Sequence, residues 1–146
     1  MFDFSWNHEA AVWNAGYDTG VSDMDNEHKY LLSQINVVDG AIQDGSGMGK
    51  VLGLLGELRQ ATVQHFSHEE SLMAAADYPG LDGHKSLHGV LLDMLDDLID
   101  QTRAGNRENL KTTAGEYLKT WLIGHIMVAD QDYAPVVLKF QSEPAE

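Results

Sequence analysis

Histidine and acidic residues recur in this chain at spacings that place side chains on one face of a helix. His65 and Glu69 are four residues apart, and so are His84 and His88; residues at i and i+4 are neighbours on a helical surface. His28 stands alone, and His125 is followed five residues later by Asp130. On a regular helix that last spacing puts the two side chains about 140° apart. Asp130 therefore reaches the His125 face only if the helix ends loosely, bulges there, or the direction of the Asp side chain brings it in, and it is the weakest member on geometry. Neutral imidazole with carboxylate suits iron, copper, zinc or nickel. The chain has no cysteine, which excludes disulfides, thiolate metal sites, iron–sulfur clusters and covalent c-type haem. The seven donors outnumber the four of a structural zinc site. They fit two six-coordinate metal ions that share bridging carboxylates, so the residues themselves point to a dinuclear iron site.

Something must bring these side chains together, and helical periodicity dominates the sequence. Four helices are predicted, over residues 23–44, 48–76, 83–103 and 107–133 or beyond. The first ends in Gly45-Ser46-Gly47, and the second stops at Asp77-Tyr78-Pro79-Gly80, where proline bars continuation and glycine allows a turn. Asp82 is the expected N-cap of the third and Gly105 the residue just past its end. Asn106 is the cap candidate of the fourth, whose end is blurred by Pro135 and followed by a frayed tail from Gln141. The connections are short, which predicts an all-α, antiparallel up-down-up-down four-helix bundle. With 146 residues and 43% hydrophobic content, the chain suits one domain with a proper core: an irregular arm over 1–22, the bundle over 23–138 and a tail over 139–146. Trp6, Trp13 and Tyr17 in the arm are expected to pack on the bundle.

The apolar seam of each helix is interrupted by the residues named above. The first seam reads Met24, His28, Leu31, Ile35, Val38, Ile42, and the second Val51, Leu55, Leu58, Thr62, His65, Glu69, Leu72, Ala76. The third reads His84, Leu87, His88, Leu91, Leu95, Leu98, and the fourth Leu110, Ala114, Leu118, Leu122, His125, Ala129. Burying such groups without partners costs on the order of 1–3 kcal/mol each, more for a charge. For one histidine a hydrogen-bonded core position is the ordinary explanation; for five it requires five separate partners. In an antiparallel bundle the starts of the first and third helices meet the ends of the second and fourth, so all the interruptions fall at one end.

Composition narrows the function classes. Nine basic against 23 acidic residues give a formal charge of −14, which phosphate backbones and anionic lipid would repel. The N-terminus lacks a basic region followed by an apolar one, and no apolar run approaches the roughly 18 residues of a membrane helix. A cytoplasmic protein without nucleic-acid or membrane contacts is the expectation. A phosphohydrolase of the HD type lacks its His-Asp dipeptide here, and a zinc metalloprotease lacks its HExxH.

At these positions the sequence resembles the bacterial hemerythrin family. The stretches that carry the resemblance are Trp13-Asn14 with Tyr17 and Thr19-Gly20-Val21, Met24-Asp25-Asn26-Glu27-His28, and His65-Phe66-Ser67-His68-Glu69-Glu70 with Met73. They continue with Tyr78-Pro79, His84-Lys85-Ser86-Leu87-His88 and His125-Ile126-Met127-Val128-Ala129-Asp130. The resemblance implies that His84, His88 and His125 hold one non-haem iron and His28 and His65 the other. Glu69 and Asp130 would bridge them together with an oxo or hydroxo group, and the iron with two histidines would keep an open position for O₂. It implies reversible O₂ binding, as carrier, store or O₂- or redox-sensing domain; such domains also occur attached to chemotaxis receptors, so a signalling module is an implied partner if the chain belongs to a larger receptor. The alternative is a di-iron enzyme acting on peroxide or nitric oxide. Glu27 departs from the pattern, since family members often carry glutamine before the first histidine.

The remaining polar and aromatic residues have plainer expectations. His8 and His68 hold no seam position and are read as ordinary histidines, with a place just behind the ligands as the alternative for His68. Asp93, Asp96, Asp97 and Asp100 read as a solvated helix face. Met73 and Trp121 read as core or pocket lining, and Ile126 as a wall of the O₂ pocket. Glu69 could instead pair with Arg59, the arginine on its own helix. Tyr117 or Tyr133 could donate a hydrogen bond to the site, and nothing in the sequence selects between them.

Overall fold

The structure, a computed structural model, describes residues 12–105 and 107–143. Trp6, His8, the Asn106 cap and the last three residues lie outside them. The elements are α1 (Ser22–Gln43), α2 (Met48–Ala75), α3 (Leu81–Arg103), α4 (Arg107–His125), a π-helical turn (Ile126–Asp130) and α5 (Gln131–Ser142). The last three run on as one rod, so the architecture is the expected antiparallel four-helix bundle. In it α1 packs on α2 and α4, and α3 packs on α2 and α4. No helix among the described residues is long and apolar enough to cross a membrane.

The turns follow the predicted signals, with two corrections. Gly45 and Gly105 take the left-handed conformation at φ 82° and 78°, which costs glycine nothing. The third helix starts two residues earlier than expected: Gly80 precedes its first residue, and Asp82 lies inside the first turn, where its charge favours the N-terminal dipole without capping it. Gln141 and Ser142, expected to fray, are helical, and Pro135 lies inside α5 without ending it.

The arm is pinned to the start of α1 by a buried carboxylate. Asp25 Oδ1 accepts from the Thr19 backbone N–H and hydroxyl, both at 2.8 Å, and Oδ2 accepts from the Gly20 N–H at 3.1 Å. Trp13 and Tyr17 meet edge to face, with centroids 5.4 Å apart, and both pack against the main core. The Gln131 side chain donates to the Tyr17 and Asp18 carbonyls, which ties this arm to the π turn.

Two apolar clusters share the interior. The larger one contains Leu31, Ile35, Leu55, Leu58, Phe66, Leu91, Leu95, Leu118, Trp121 and Ile126. A smaller one, of Val21, Met24, Met73, Tyr133, Ala134 and Val137, closes the opposite end. His28, His65, Glu69, His84, His88, His125 and Asp130 lie between them along every helix.

Close approach of α1 and α4 depends on Gly115. A Cβ there would overlap the Asp39 carboxylate, which is buried and paired with the equally buried Lys119 at 3.3 Å. Replacing Gly115 with alanine gains about 1 kcal/mol of helix propensity, but overpacking costs about 1–3 kcal/mol and strains the ion pair. We expect Gly115→Ala to lower the thermal unfolding midpoint by several degrees; an increase would contradict the packing described.

Candidate metal centre

The structure brings all seven sequence-derived donors into one volume. Each is buried: His28, Glu69 and Asp130 are fully so, and the most exposed, His125, retains 7% of its surface. They form two groups whose candidate ligand atoms lie within 4.8 Å of one another. One is His84, His88, His125, Glu69 and Asp130; the other is His28, His65, Glu69 and Asp130.

The two carboxylates belong to both groups, and each divides its oxygens between them. Glu69 Oε1 faces Nε2 of His84 at 3.0 Å, of His88 at 2.9 Å and of His125 at 3.9 Å. Its Oε2 faces Nε2 of His65 at 3.3 Å and of His28 at 3.4 Å. Asp130 Oδ1 faces His84 and His125 at 3.1 and 3.0 Å, while Oδ2 faces His28 at 3.0 Å.

Of these short separations, those from Glu69 Oε1 to His84 and His88 have hydrogen-bond geometry, and those around His28, His65 and Asp130 do not. His28 Nε2, His65 Nε2 and both Asp130 oxygens are buried and have no hydrogen-bond partner of acceptable geometry. Their lone pairs converge on shared points rather than on one another, as donors do around cations bound at about 2.0–2.2 Å. Two bridging carboxylates and five imidazoles thus fit a pair of borderline-hard divalent ions.

The π turn explains how Asp130 joins. A regular helix would turn it away from His125, but the five residues Ile126–Asp130 form π-helix. Its i→i+5 bonds hold about one more residue per turn, which returns Asp130 to the His125 face. Of the ways the spacing left open, the bulge is the one the structure takes.

The groups flanking the cluster are only partly legible in the sequence: it does not specify the partners of Glu27 and His68, and it gives Glu70 no role. Glu27 Oε1 accepts from His65 Nδ1–H at 2.7 Å and Glu70 Oε2 accepts from His88 Nδ1–H at 2.8 Å. His68 stands off the cluster, exposed as expected, yet its Nδ1–H donates to Glu27 Oε2 at 2.6 Å. The only available signal was position: Glu27 precedes His28 and Glu70 follows Glu69, each about 100° round its helix toward a neighbour. Of the two tyrosines, Tyr133 is the one at the site, donating to Glu69 Oε2 at 2.8 Å; Tyr117 donates to the Met94 carbonyl. Arg59 pairs with Asp96, not Glu69. Phe66 stacks on His88 with centroids 3.7 Å apart and planes 1° from parallel. Ile126 and Met73 are buried, and Trp121 donates to the Leu91 carbonyl, tying α4 to α3.

Two cavities approach the cluster from opposite sides. An apolar one of about 620 Å³, lined by Leu87, Leu91, Met94, Tyr117, Trp121 and Val128 among others, reaches it at His125. A smaller recess of about 310 Å³, between Glu27, Tyr30, Gln64, His65 and His68, reaches it at His65.

Without cations the cluster must balance its charge with protons. Burial opposes the imidazolium form of His65, but Glu27 and Glu69 outweigh it and raise the pKa to about 9. His84 likewise rises to about 9 against burial, through Asp130 and Glu69, and His28 and His125 shift upward too. Burial acts to raise Glu69 and Asp130, but the surrounding imidazoles hold both below their ordinary range. Raised imidazoles stabilise the fold fully below about pH 6.5 and lose that contribution as pH rises toward 9. The lowered carboxylates contribute above about pH 4.5 and lose it as pH falls. The metal-free protein is therefore expected to melt at its highest temperature near pH 5–6.5, with a midpoint that drops toward pH 9 in the presence of chelator. Adding a divalent ion should reverse the trend, because binding displaces those protons. A midpoint of the metal-free chain that climbs from pH 6.5 to 9 would refute this charge balance.

Comparison with known proteins places this arrangement in context. Residues 19–137 match the hemerythrin HHE cation binding domain. The chain is 30% identical over 132 residues to a bacteriohemerythrin of Pseudomonas paraeruginosa, covering 90% of this chain and 84% of the relative. It is 32% identical over 122 residues to the hemerythrin of Phascolopsis gouldii, covering 84% and 89%, and 32% identical over the same span to the myohemerythrin of Sipunculus nudus.

Proposed function

The chain belongs to the hemerythrin family, and on that premise we propose that it binds O₂ reversibly at a non-haem di-iron centre. In this reading His84, His88 and His125 hold one iron, His28 and His65 hold the other, and Glu69 and Asp130 bridge the two with an oxo or hydroxo group. The observation that carries it is the division of both buried carboxylates between the two histidine groups: Glu69 turns one oxygen to His84, His88 and His125 and the other to His28 and His65, and Asp130 turns one to His84 and His125 and the other to His28. When bound, a pair of ferrous ions supplies the electrons on which reversible O₂ binding draws.

The chain's own residues do the rest. His84, His88 and His125 with one oxygen from each acid would offer five donors to one iron, whereas His28 and His65 with the other oxygens would offer four, leaving more room there for an outside ligand. Five neutral imidazoles and two carboxylates leave two ferrous ions and a hydroxide with a single net positive charge, a small charge to hold in a bundle core. Leu31, Phe66 and Ile126 on one side and Met24 and Met73 on the other exclude water, which strengthens every charge interaction within. The Tyr133 hydroxyl is held protonated by burial and by the charges of Glu69 and Asp130, so it serves as a fixed donor to Glu69 and not as a base. Carrier, store and sensing domain share this ligand set and differ in what the O₂-bound state is coupled to.

The test is iron analysis joined to optical spectra through an anaerobic, aerated and re-evacuated cycle. Two irons per chain are expected, with a visible absorption that grows in air and fades when O₂ is withdrawn. His65→Ala should keep its helical spectrum, lose one iron and lose the O₂-dependent band. Immediate irreversible oxidation of the unaltered protein would favour peroxide or nitric oxide chemistry instead, and full O₂ binding by His65→Ala with two irons retained would overturn the assignment.

A further inference from the structure

A histidine that offers Nε2 to a cation must keep its proton on Nδ1 and its ring at a fixed rotation, and the atom bonded to Nδ1 sets both. The five candidate imidazoles are unequally provided in this respect. His65 and His88 each donate from Nδ1 to a carboxylate, Glu27 and Glu70 respectively, whereas Nδ1 of His28 and of His125 is buried without a hydrogen-bond partner. The two-histidine group therefore has one externally oriented ring, that of His65.

Glu27 is itself held from a second direction. It projects from α1 across the seam with α2, and its two oxygens accept from two rings on α2: Oε1 from His65 at 2.7 Å and Oε2 from His68 at 2.6 Å. His65 and His68 are three residues apart, so both rings rise from one face of the helix. The His65 side chain retains 3% of its exposure, Glu27 32% and His68 42%. The three form a graded line from the recess at the surface to the buried cluster. A long carboxylate beside open solvent has many rotamers, and clamping both oxygens removes that freedom.

We propose that Glu27 and His68 are a positioning pair that fixes His65 with Nε2 toward the cluster, so that cation binding by the two-histidine group depends on an imidazole at the surface. The proposal rests on the ligand assignment given above, and its consequence is selective. The three-histidine group, oriented through Glu70, does not depend on the pair.

The experiment is calorimetric titration of the metal-free protein with zinc(II), joined to nitrogen–proton NMR of the histidine rings in the loaded form. The unaltered protein should take two equivalents and show a deshielded, slowly exchanging His65 Nδ1 proton. Glu27→Leu should bind one equivalent normally and the other about tenfold to hundredfold more weakly, the range seen when a group orienting a metal-bound histidine is removed, and should lose that proton's protection. Glu27→Gln keeps an oxygen able to accept from His65 and should rescue most of the loss, and His68→Leu should show a smaller loss than Glu27→Leu. Glu70→Leu should weaken the other equivalent instead. Two unweakened equivalents in Glu27→Leu, with the His65 proton still protected, would overturn the positioning pair while leaving the ligand assignment intact. Failure of the unaltered protein to take two equivalents would overturn both.

Discussion

Everything in this bundle depends on the burial of two carboxylates and five imidazoles between two apolar clusters. Glu69 and Asp130 are fully buried, and among the described residues no arginine or lysine is paired with either. An uncompensated carboxylate in such a place costs several kcal/mol, and the imidazoles compensate it only by taking up protons against their own burial. Two divalent cations remove the conflict: they neutralise the acids, need the imidazoles neutral, and supply partners for the lone pairs that find none within the chain. The cost of the metal-free state and the affinity for metal are then one electrostatic fact.

That constraint accounts for several features of the fold around the site. A straight fourth helix would pack its seam well, but it would turn Asp130 out of the cluster. The π turn at Ile126–Asp130 gives up regular hydrogen bonding and brings the second buried acid into the cluster. Tyr133, three residues further on, fills the apolar plug beyond the site and spends its hydroxyl on Glu69. The pinned arm, through Gln131, braces the same turn from outside. The departure from regular helix thus falls where the chain must turn Asp130 back toward His125.

Much of this was legible in the residues, for reasons that have limits. Seams such as Met24–His28–Leu31–Ile35 follow helical spacing, so the periodicity that located the helices also located the polar interruptions. Their convergence followed from antiparallel topology. Asp130 resisted, because spacing alone reports a regular helix and the π turn is a tertiary outcome. Glu27, Glu70 and His68 resisted for a different reason: they act across helix–helix seams, and one sequence carries no record of which side chain meets which across a gap. The third helix began at Leu81 because Pro79-Gly80 supplied the turn, where the sequence offered Asp82 as a cap of equal appeal. The resemblance of the quoted motifs to the hemerythrins supplied roles for the donors, including Asp130, that geometry alone left open.

The central claim is that these seven side chains hold two ions between them, with Glu69 and Asp130 shared. Anomalous diffraction at the iron edge from crystals of the iron-loaded protein tests it most directly. Two peaks per chain are expected, one within bonding distance of Nε2 of His84, His88 and His125, the other of Nε2 of His28 and His65, with one oxygen of each acid on each peak. A single peak, or a second peak held by residues outside this set, would contradict it.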